Sequence, residues 1–272
     1  MIGIIGSGLM GKGIAIELAR FGRKVVLVSA QRHLDHDSLL SEIDRVSKKY
    51  PEINLDEVHK NIYATNELSF LADCSVVIEA VSENIVMKRQ IIQESLNHTK
   101  VNCIYASNTS SLSIFDIFNG LVDLKLACGF HFFNPVQIMK LVEISYLEET
   151  SENTIHEIKK IAEEIGKDAI VVKNSPGFIV NRLLIPLINE ASKILDEGLA
   201  SAEDIDKAMR LGANHPIGPL KLSDLIGNDI TLLILKTLKQ NQKIEISPGL
   251  EDKVNKGMLG RKSKKGFYQY DK

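Results

Sequence analysis

Residues 2–11 restrict the fold more than any other stretch of the chain. Ile2-Gly3-Ile4-Ile5 is a short apolar run, and Gly6-Ser7-Gly8-Leu9-Met10-Gly11 follows it directly in the pattern G-x-G-x-x-G. The pattern alone is a weak signal. Set between an apolar strand and a helix-like stretch from Leu9 to Phe21, it reads as the opening of a β-α-β unit that holds a pyrophosphate. The first glycine makes the tight turn, the second lets backbone approach the phosphates, and the third lets helix and strand pack closely. Amides at the helix start then face the anion. Gly6, Gly8, Leu9, Met10 and Gly11 are therefore expected dinucleotide contacts. The competing reading is a plain glycine-rich β–α turn.

Beyond this unit, apolar runs keep alternating with helical patterns. Val25–Val28 is a second strand. Leu34–Tyr50 is polar-rich and helix-like, ended by Pro51. Val76–Glu79 is a third strand, followed by a helix from about Ile85 to Leu96. Strands at Val101–Ala106 and Leu126–Phe130, a helix at Ile155–Ile165 and a strand at Ala169–Val172 complete the series. This alternation predicts an α/β, Rossmann-type, doubly wound and mostly parallel sheet. The pattern changes at Lys173-Asn174-Ser175-Pro176-Gly177, where Ser175 suits a helix N-cap and Pro176 the first helical position. After it, Ile179, Leu183, Leu187, Ala191 and Ile194 recur at the spacing of one helix face. Pro186 should kink that helix. Further helices are expected at about Ala202–Leu211 and Leu220–Leu238. The expected organisation is a dinucleotide-binding domain over residues 1–174 and an all-helical C-terminal domain over residues 175–272.

Composition excludes several functions. Among 272 residues, 33 Lys+Arg oppose 35 Asp+Glu, a net charge of −2. No basic field speaks for a nucleic-acid partner. No apolar run approaches the ~18 residues of a membrane span. Cys74, Cys103 and Cys128 are odd in number, scattered and without CxxC spacing. This argues for reduced thiols, a cytoplasmic setting and no metal site. A strand beginning at Ile2 leaves no room for a targeting leader, which gives the same expectation.

Cofactor choice is left open. An acidic residue is expected about 20 positions after the glycine turn to hold the ribose 2′-hydroxyl of NAD. Ser29 stands there, and Arg32 follows within three residues. Either Ser29 bonds the ribose of NAD and Arg32 is a solvated charge, or a neutral Ser29 with Arg32 admits the 2′-phosphate of NADP.

A polar constellation follows. Glu83 comes after the run Val76–Val81, at the carboxyl end of a strand, where open α/β sheets bind ligands. Lys88 lies five residues on, in the next helix. Ser107-Asn108-Thr109-Ser110-Ser111 follows the strand at 101–106. Gly129-Phe130-His131-Phe132-Phe133-Asn134-Pro135 comes next, and Glu143 stands twelve residues after His131.

On these blocks the chain resembles the short-chain L-3-hydroxyacyl-CoA dehydrogenases, in particular the bacterial 3-hydroxybutyryl-CoA dehydrogenases. The likeness runs through Ile78-Glu79-Ala80-Val81-Ser82-Glu83-Asn84, Ala106-Ser107-Asn108-Thr109-Ser110-Ser111-Leu112 and His131-Phe132-Phe133-Asn134-Pro135. It continues through Pro176-Gly177-Phe178-Ile179-Val180-Asn181-Arg182, Gly212–Pro219, Leu259-Gly260-Arg261-Lys262 and Gly266-Phe267-Tyr268. The resemblance implies reversible oxidation of a 3-hydroxyacyl-CoA to a 3-oxoacyl-CoA in fatty-acid and butanoate metabolism, with NAD or NADP as hydride carrier. Removing a hydride from a secondary alcohol needs a base for the hydroxyl proton, and imidazole titrates near neutral pH. By resemblance His131 is that base and Glu143 orients it, while Ser110 and Asn181 bond the reacting oxygen. Asn134 is a further polar member, Glu83, Lys88 and Asn108 are cofactor contacts, and the site lies in the cleft between domains. The resemblance also implies a homodimer through the C-terminal domain. Asp35–Asn61 matches poorly, which leaves the coenzyme A contacts unassigned.

Other readings compete at each residue. His131 could be a buried structural histidine, Glu143 could pair with Lys140, Ser110 could be a helix N-cap, and Asn181 could be a surface residue of an amphipathic helix. At the level of function, the rivals are a non-catalytic dinucleotide-binding homologue and a dehydrogenase of a hydroxy acid without coenzyme A.

Overall fold

Eight strands of four to six residues build one sheet. In the computed structural model these are β1 (Ile2–Ile5), β2 (Val25–Val28), β3 (Ile62–Thr65), β4 (Val76–Glu79), β5 (Ile104–Ser107), β6 (Ala127–Phe132), β7 (Leu141–Tyr146) and β8 (Asp168–Lys173). The structure describes residues 1–29, 40, 43–44, 48, 50, 53–240 and 242–270. The expected helix at Leu34–Tyr50 and Arg32 therefore fall largely or wholly outside the described residues. Strand order is β3-β2-β1-β4-β5-β6-β7-β8. All neighbours run parallel except β6 and β7.

Helices cover both faces: α1 (Leu9–Arg20), α2 (Leu55–Asn61), α3 (Ile85–Leu96), α4 (Ile114–Phe118) and α5 (Glu152–Glu164). Strands buried on both faces need no polar alternation. β1, β2, β4 and β5 are accordingly buried along their whole length. One face carries Ile2, Ile4, Ile78, Ala106, Phe130 and Ile144 into the main core. Period-two alternation sends Glu79, Ser107, Gly129, His131, Glu143 and Ser145 to the other.

The chain divides into two compact units, Met1–Ser175 and Pro176–Lys272. The second contains α6 (Val180–Asp196), α7 (Ala202–Gly212), α8 (Pro219–Ile226), α9 (Asn228–Lys239) and α10 (Pro248–Asn255). Three expectations need correction here. Helix α6 starts at Val180, not at Pro176, because Gly177 and Phe178 take positive φ of 73° and 48° and hold the entry out of helical geometry. Pro186 lies inside it. Its buried side is Ile185, Ile188, Ala191 and Ser192, whereas Leu183 of the expected stripe is 71% exposed. The single helix expected over 220–238 is two, α8 and α9, split at Gly227, whose φ of 109° no helical residue adopts.

Two buried aspartates clasp the end of the helical unit. Asp206 accepts hydrogen bonds from the Leu220 and Lys221 amides and from the Tyr268 hydroxyl at 2.8–3.0 Å. Asp224 accepts from the Phe267 and Tyr268 amides, the Asn228 amide group and the Tyr270 hydroxyl at 2.9–3.0 Å. A Cβ at Gly218 or Gly266 would stand 2.2 or 1.9 Å from these carboxyl groups, which explains glycine at both places.

Candidate active site

The three glycines of the first turn are there for different reasons. Gly6 has φ of +116°, and an added Cβ would stand 2.6 Å from the Ala80 carbonyl. At Gly11 a Cβ would stand 1.8 Å from the Gly6 carbonyl, so the turn and the helix–strand packing require glycine. At Gly8 an added Cβ meets nothing within 4 Å. Among the described residues nothing packs where a side chain at Gly8 would stand, which leaves that space open to a ligand. Gly8 and Leu9 are exposed at the start of α1, where the first-turn amides have no intrahelical acceptor. A pyrophosphate fits this cradle in both space and charge.

Ser29 closes β2 beside the turn. It is buried, its amide bonds the Thr65 carbonyl at 2.8 Å, and its hydroxyl shares a 2.8 Å hydrogen bond with Ser7. Position 29 thus carries a neutral group tied to the glycine turn, with no carboxylate there.

At the carboxyl end of β4, three charges form a buried network. Lys88 is 1% exposed; its Nζ lies 2.8 and 2.9 Å from the two oxygens of Glu79, 3.3 Å from the Val81 carbonyl and 3.4 Å from Glu83. Glu79 also accepts from the Ser107 hydroxyl at 2.6 Å and from the Val81 amide at 2.7 Å. Glu83 Oε1 lies within 2.7–3.1 Å of five donors: the hydroxyls of Thr109, Ser110 and Ser111 and the amides of Ser110 and Ser111. One carboxylate oxygen cannot accept five full hydrogen bonds. The Thr109 hydroxyl and the two amides make the shorter contacts, and the Ser110 and Ser111 hydroxyls the longest, at 3.1 Å. Burial alone would push the Glu83 carboxyl up, but Lys88 and these donors outweigh it and hold its pKa below the usual carboxylate range. Lys88 thus supports Glu83, and Glu83 organises the turn that presents Ser110. Ser113, not Ser110, caps α4.

A histidine–glutamate pair sits on β6 and β7. His131 and Glu143 are direct partners in the antiparallel register. Glu143 is completely buried and His131 is 5% exposed, with Nδ1 at 2.8 Å from Glu143 Oε2. Pairing with an ionised Glu143 calls for a hydrogen on Nδ1, which in a neutral imidazole leaves the lone pair on Nε2. Phe133 packs beside the imidazole at 4.5 Å between ring centroids. Asn108 accepts from the Phe132 amide at 2.9 Å and so ties the Ser110 turn to the strand of His131. Lys140 is not the partner of Glu143. Asn134 lies exposed beyond β6. Asn181 lies half-buried in the first turn of α6, in the helical unit.

The residues that sequence reasoning left without a role are Glu79, Thr109 and Ser111. The signal for Glu79 was present: an acid inside the apolar run Val76–Val81, which a doubly covered strand tolerates only with a buried partner. A cavity of about 320 Å³ lined by Arg23, Lys24, Ser75 and Lys160 lies at the opposite, amino-terminal edge of the strands and holds none of these groups.

Fold and site together define a dinucleotide-binding α/β protein with a buried histidine–glutamate pair. Comparison with known proteins gives the family. Residues 1–175 match the model of the 3-hydroxyacyl-CoA dehydrogenase NAD binding domain, and residues 177–270 that of the 3-hydroxyacyl-CoA dehydrogenase C-terminal domain. The chain belongs to the 3-hydroxyacyl-CoA dehydrogenase family. It is 40% identical over 280 residues to a 3-hydroxybutyryl-CoA dehydrogenase of Clostridioides difficile, covering 100% of this chain and 99% of the relative. It is 37% identical to the mouse mitochondrial hydroxyacyl-coenzyme A dehydrogenase, covering 98% of this chain and 90% of the relative. Among solved structures, the (S)-3-hydroxybutyryl-CoA dehydrogenase of Ralstonia eutropha superposes with a TM-score of 0.93 at 38% identity, covering 100% of this chain and 99% of that one. Among the described residues no helix is long and apolar enough to cross a membrane.

Proposed function

We propose that this protein interconverts short-chain (S)-3-hydroxyacyl-CoA esters, such as 3-hydroxybutyryl-CoA, and the corresponding 3-oxoacyl-CoA esters, within fatty-acid and butanoate metabolism. The buried His131–Glu143 pair carries this reading, supported by end-to-end likeness to relatives bearing that name. A nicotinamide cofactor, when bound, would supply or take the hydride. In the oxidation direction His131 Nε2 accepts the substrate hydroxyl proton, and in reduction it returns that proton to the carbonyl oxygen. Glu143 keeps the imidazole in the required tautomer and stabilises its charged form, as in other His–carboxylate pairs. Ser110, released from its long contact to Glu83, donates to the reacting oxygen. Asn181 and Asn134 are assigned to the same polar shell.

NAD(H) is the carrier to which the family's NAD binding domain points. NADP(H) is accepted as well, because position 29 has no carboxylate to repel a 2′-phosphate. Arg32 is assigned to that phosphate. The deciding assay is acetoacetyl-CoA-dependent oxidation of NADH and of NADPH. Absence of both reactions would leave a dinucleotide-binding homologue without catalysis. Arg32→Ala should weaken NADPH binding much more than NADH binding; equal effects remove that assignment.

The working form is a homodimer through the helical unit, in the cytoplasm. Leu183, Leu199, Leu211, Leu225 and Leu233 are large apolar side chains that this unit leaves exposed, and such surface favours association. Three buried free thiols suit a reducing compartment. Sedimentation giving a monomer at micromolar concentration contradicts the dimer.

A further inference from the structure

A second buried charge network lies away from the acid–base pair. Lys167, between α5 and β8, is 6% exposed. Its Nζ lies 2.6 Å from Glu17 Oε1, and donates to the Val136 carbonyl at 2.6 Å and the Met139 carbonyl at 3.0 Å. An ammonium has three hydrogens, and here each has an acceptor. Glu17 is fully buried on α1, two turns past the glycine loop, and its other partner is Arg20 at 2.9 Å. Burying an ammonium is tolerated only with such complete pairing. The two carbonyls it holds belong to the loop over residues 133–140, which joins the strand of His131 to the strand of Glu143.

Two further contacts join that loop to the same helix. Gln137 Nε2 donates to the Gly13 carbonyl at 3.0 Å. A Cβ at Gly13 would stand 3.0 Å from Val136 Cγ2, so α1 keeps a glycine in its interior where this loop presses on it. The backbone closes the arrangement, since the Asp168 amide donates to the Lys140 carbonyl at 2.9 Å. The loop is thus fixed to the helix whose N-terminus forms the phosphate cradle, from a point five residues after His131 to one four residues before Glu143.

We propose that Lys167, with Glu17, is a positioning residue of the dehydrogenase. It holds the loop between the two acid–base strands in register with the dinucleotide helix, and so sets the distance between His131 and the hydride-carrying ring. This rests on the functional reading above. Displacements of about 1 Å remote from the reacting atoms can cost on the order of 10²-fold in rate. Neither Lys167 nor Glu17 touches the reacting groups, so the effect belongs to geometry and not to proton transfer.

The test uses the full chain in three forms: parent, Lys167→Met, and Glu17→Gln with Lys167→Met. The double variant removes the carboxylate charge that the single variant leaves without its lysine, so a folded protein remains available. Val136 and Met139 still lose their donor in both. Expected in both variants is a kcat for acetoacetyl-CoA reduction lowered about tenfold or more, with NADH affinity by fluorescence titration within about twofold of the parent. Amide hydrogen exchange of the unliganded protein should quicken over residues 133–141 and stay unchanged in β1 and β2. A parent-like kcat in the double variant overturns the proposal, and so does a loss of NADH affinity that matches the loss of kcat. If the parent itself fails to reduce acetoacetyl-CoA, the functional reading falls, and unchanged exchange over residues 133–141 then overturns the bridge independently.

Discussion

Both units bury carboxylates, and they use them in opposite ways. In the sheet unit Glu143 faces an imidazole, a group with a second nitrogen that can take and return a proton. In the helical unit Asp206 and Asp224 face backbone amides and two phenols. Amides do not titrate, and both phenols hold their protons well above neutral pH. Burial, with the neighbouring aspartates, pushes Tyr270 up to about 12, and Tyr268 higher still. The comparison gives a criterion for reading buried acids. Partners with fixed protons make a clasp, whereas a partner with a movable proton makes a reagent.

The largest expected effect tests the reagent side. His131→Asn should lower kcat by about 10³-fold, within the range that general acid–base groups contribute, while the thermal midpoint and dinucleotide binding stay near those of the parent. Turnover within tenfold of the parent would place the base elsewhere. The clasp side predicts the reverse split. Asp224→Asn should cost about 3 kcal/mol of stability, because amides and a phenol positioned for a carboxylate meet an amide that also donates. Its kcat per folded molecule should stay near the parent value; denaturant unfolding and kinetics on the same preparation check both.

Glu83 lies between the two cases, since it clasps the loop of Ser110, which the proposed function aims at the reacting oxygen. Glu83→Gln should lower kcat about tenfold through a looser Ser110. It should also change the acid limb of stability. With its folded pKa held low, Glu83 contributes stability that is present above about pH 4.5 and is lost as pH falls through the folded value. The variant should lack that dependence in acid unfolding curves. The smallest effect is alkaline. Tyr270 has its folded pKa raised, so its contribution is full below about pH 10, the unfolded value, and is lost as pH rises towards about 12. Tyr270→Phe should flatten this part of the curve while costing about 1 kcal/mol at neutral pH for the lost hydrogen bond. A curve identical to the parent's would remove Asp224–Tyr270 from the clasp.

Much of the sheet was legible because a parallel strand covered on both faces must be apolar throughout, and Ile2–Ile5, Val25–Val28 and Val76–Glu79 are nearly so. β3 was not legible: it is an edge strand with Tyr63 exposed, so Ile62–Thr65 lacks a continuous apolar run. The break at Gly227 was hidden because the apolar spacing continues across it. Only the backbone there, with a Cβ that would stand 2.9 Å from the Asp229 carboxylate, requires a turn. In the site, His131 and the glycine turn announced themselves by residue type. The Glu83 hub and the Lys167 bridge did not, since each joins residues 26 to 150 positions apart through ordinary charged side chains.

The sequence by itself determined the local chemistry: a turn that only glycine permits, strands that only a doubly covered sheet accommodates, and residue types able to move a proton. The tertiary structure decided which charges are spent. Lys88 and Lys167 look alike along the chain and like any surface lysine. Folding places each in a buried cage of acceptors, because an ammonium removed from water must recover every hydrogen bond it gave up.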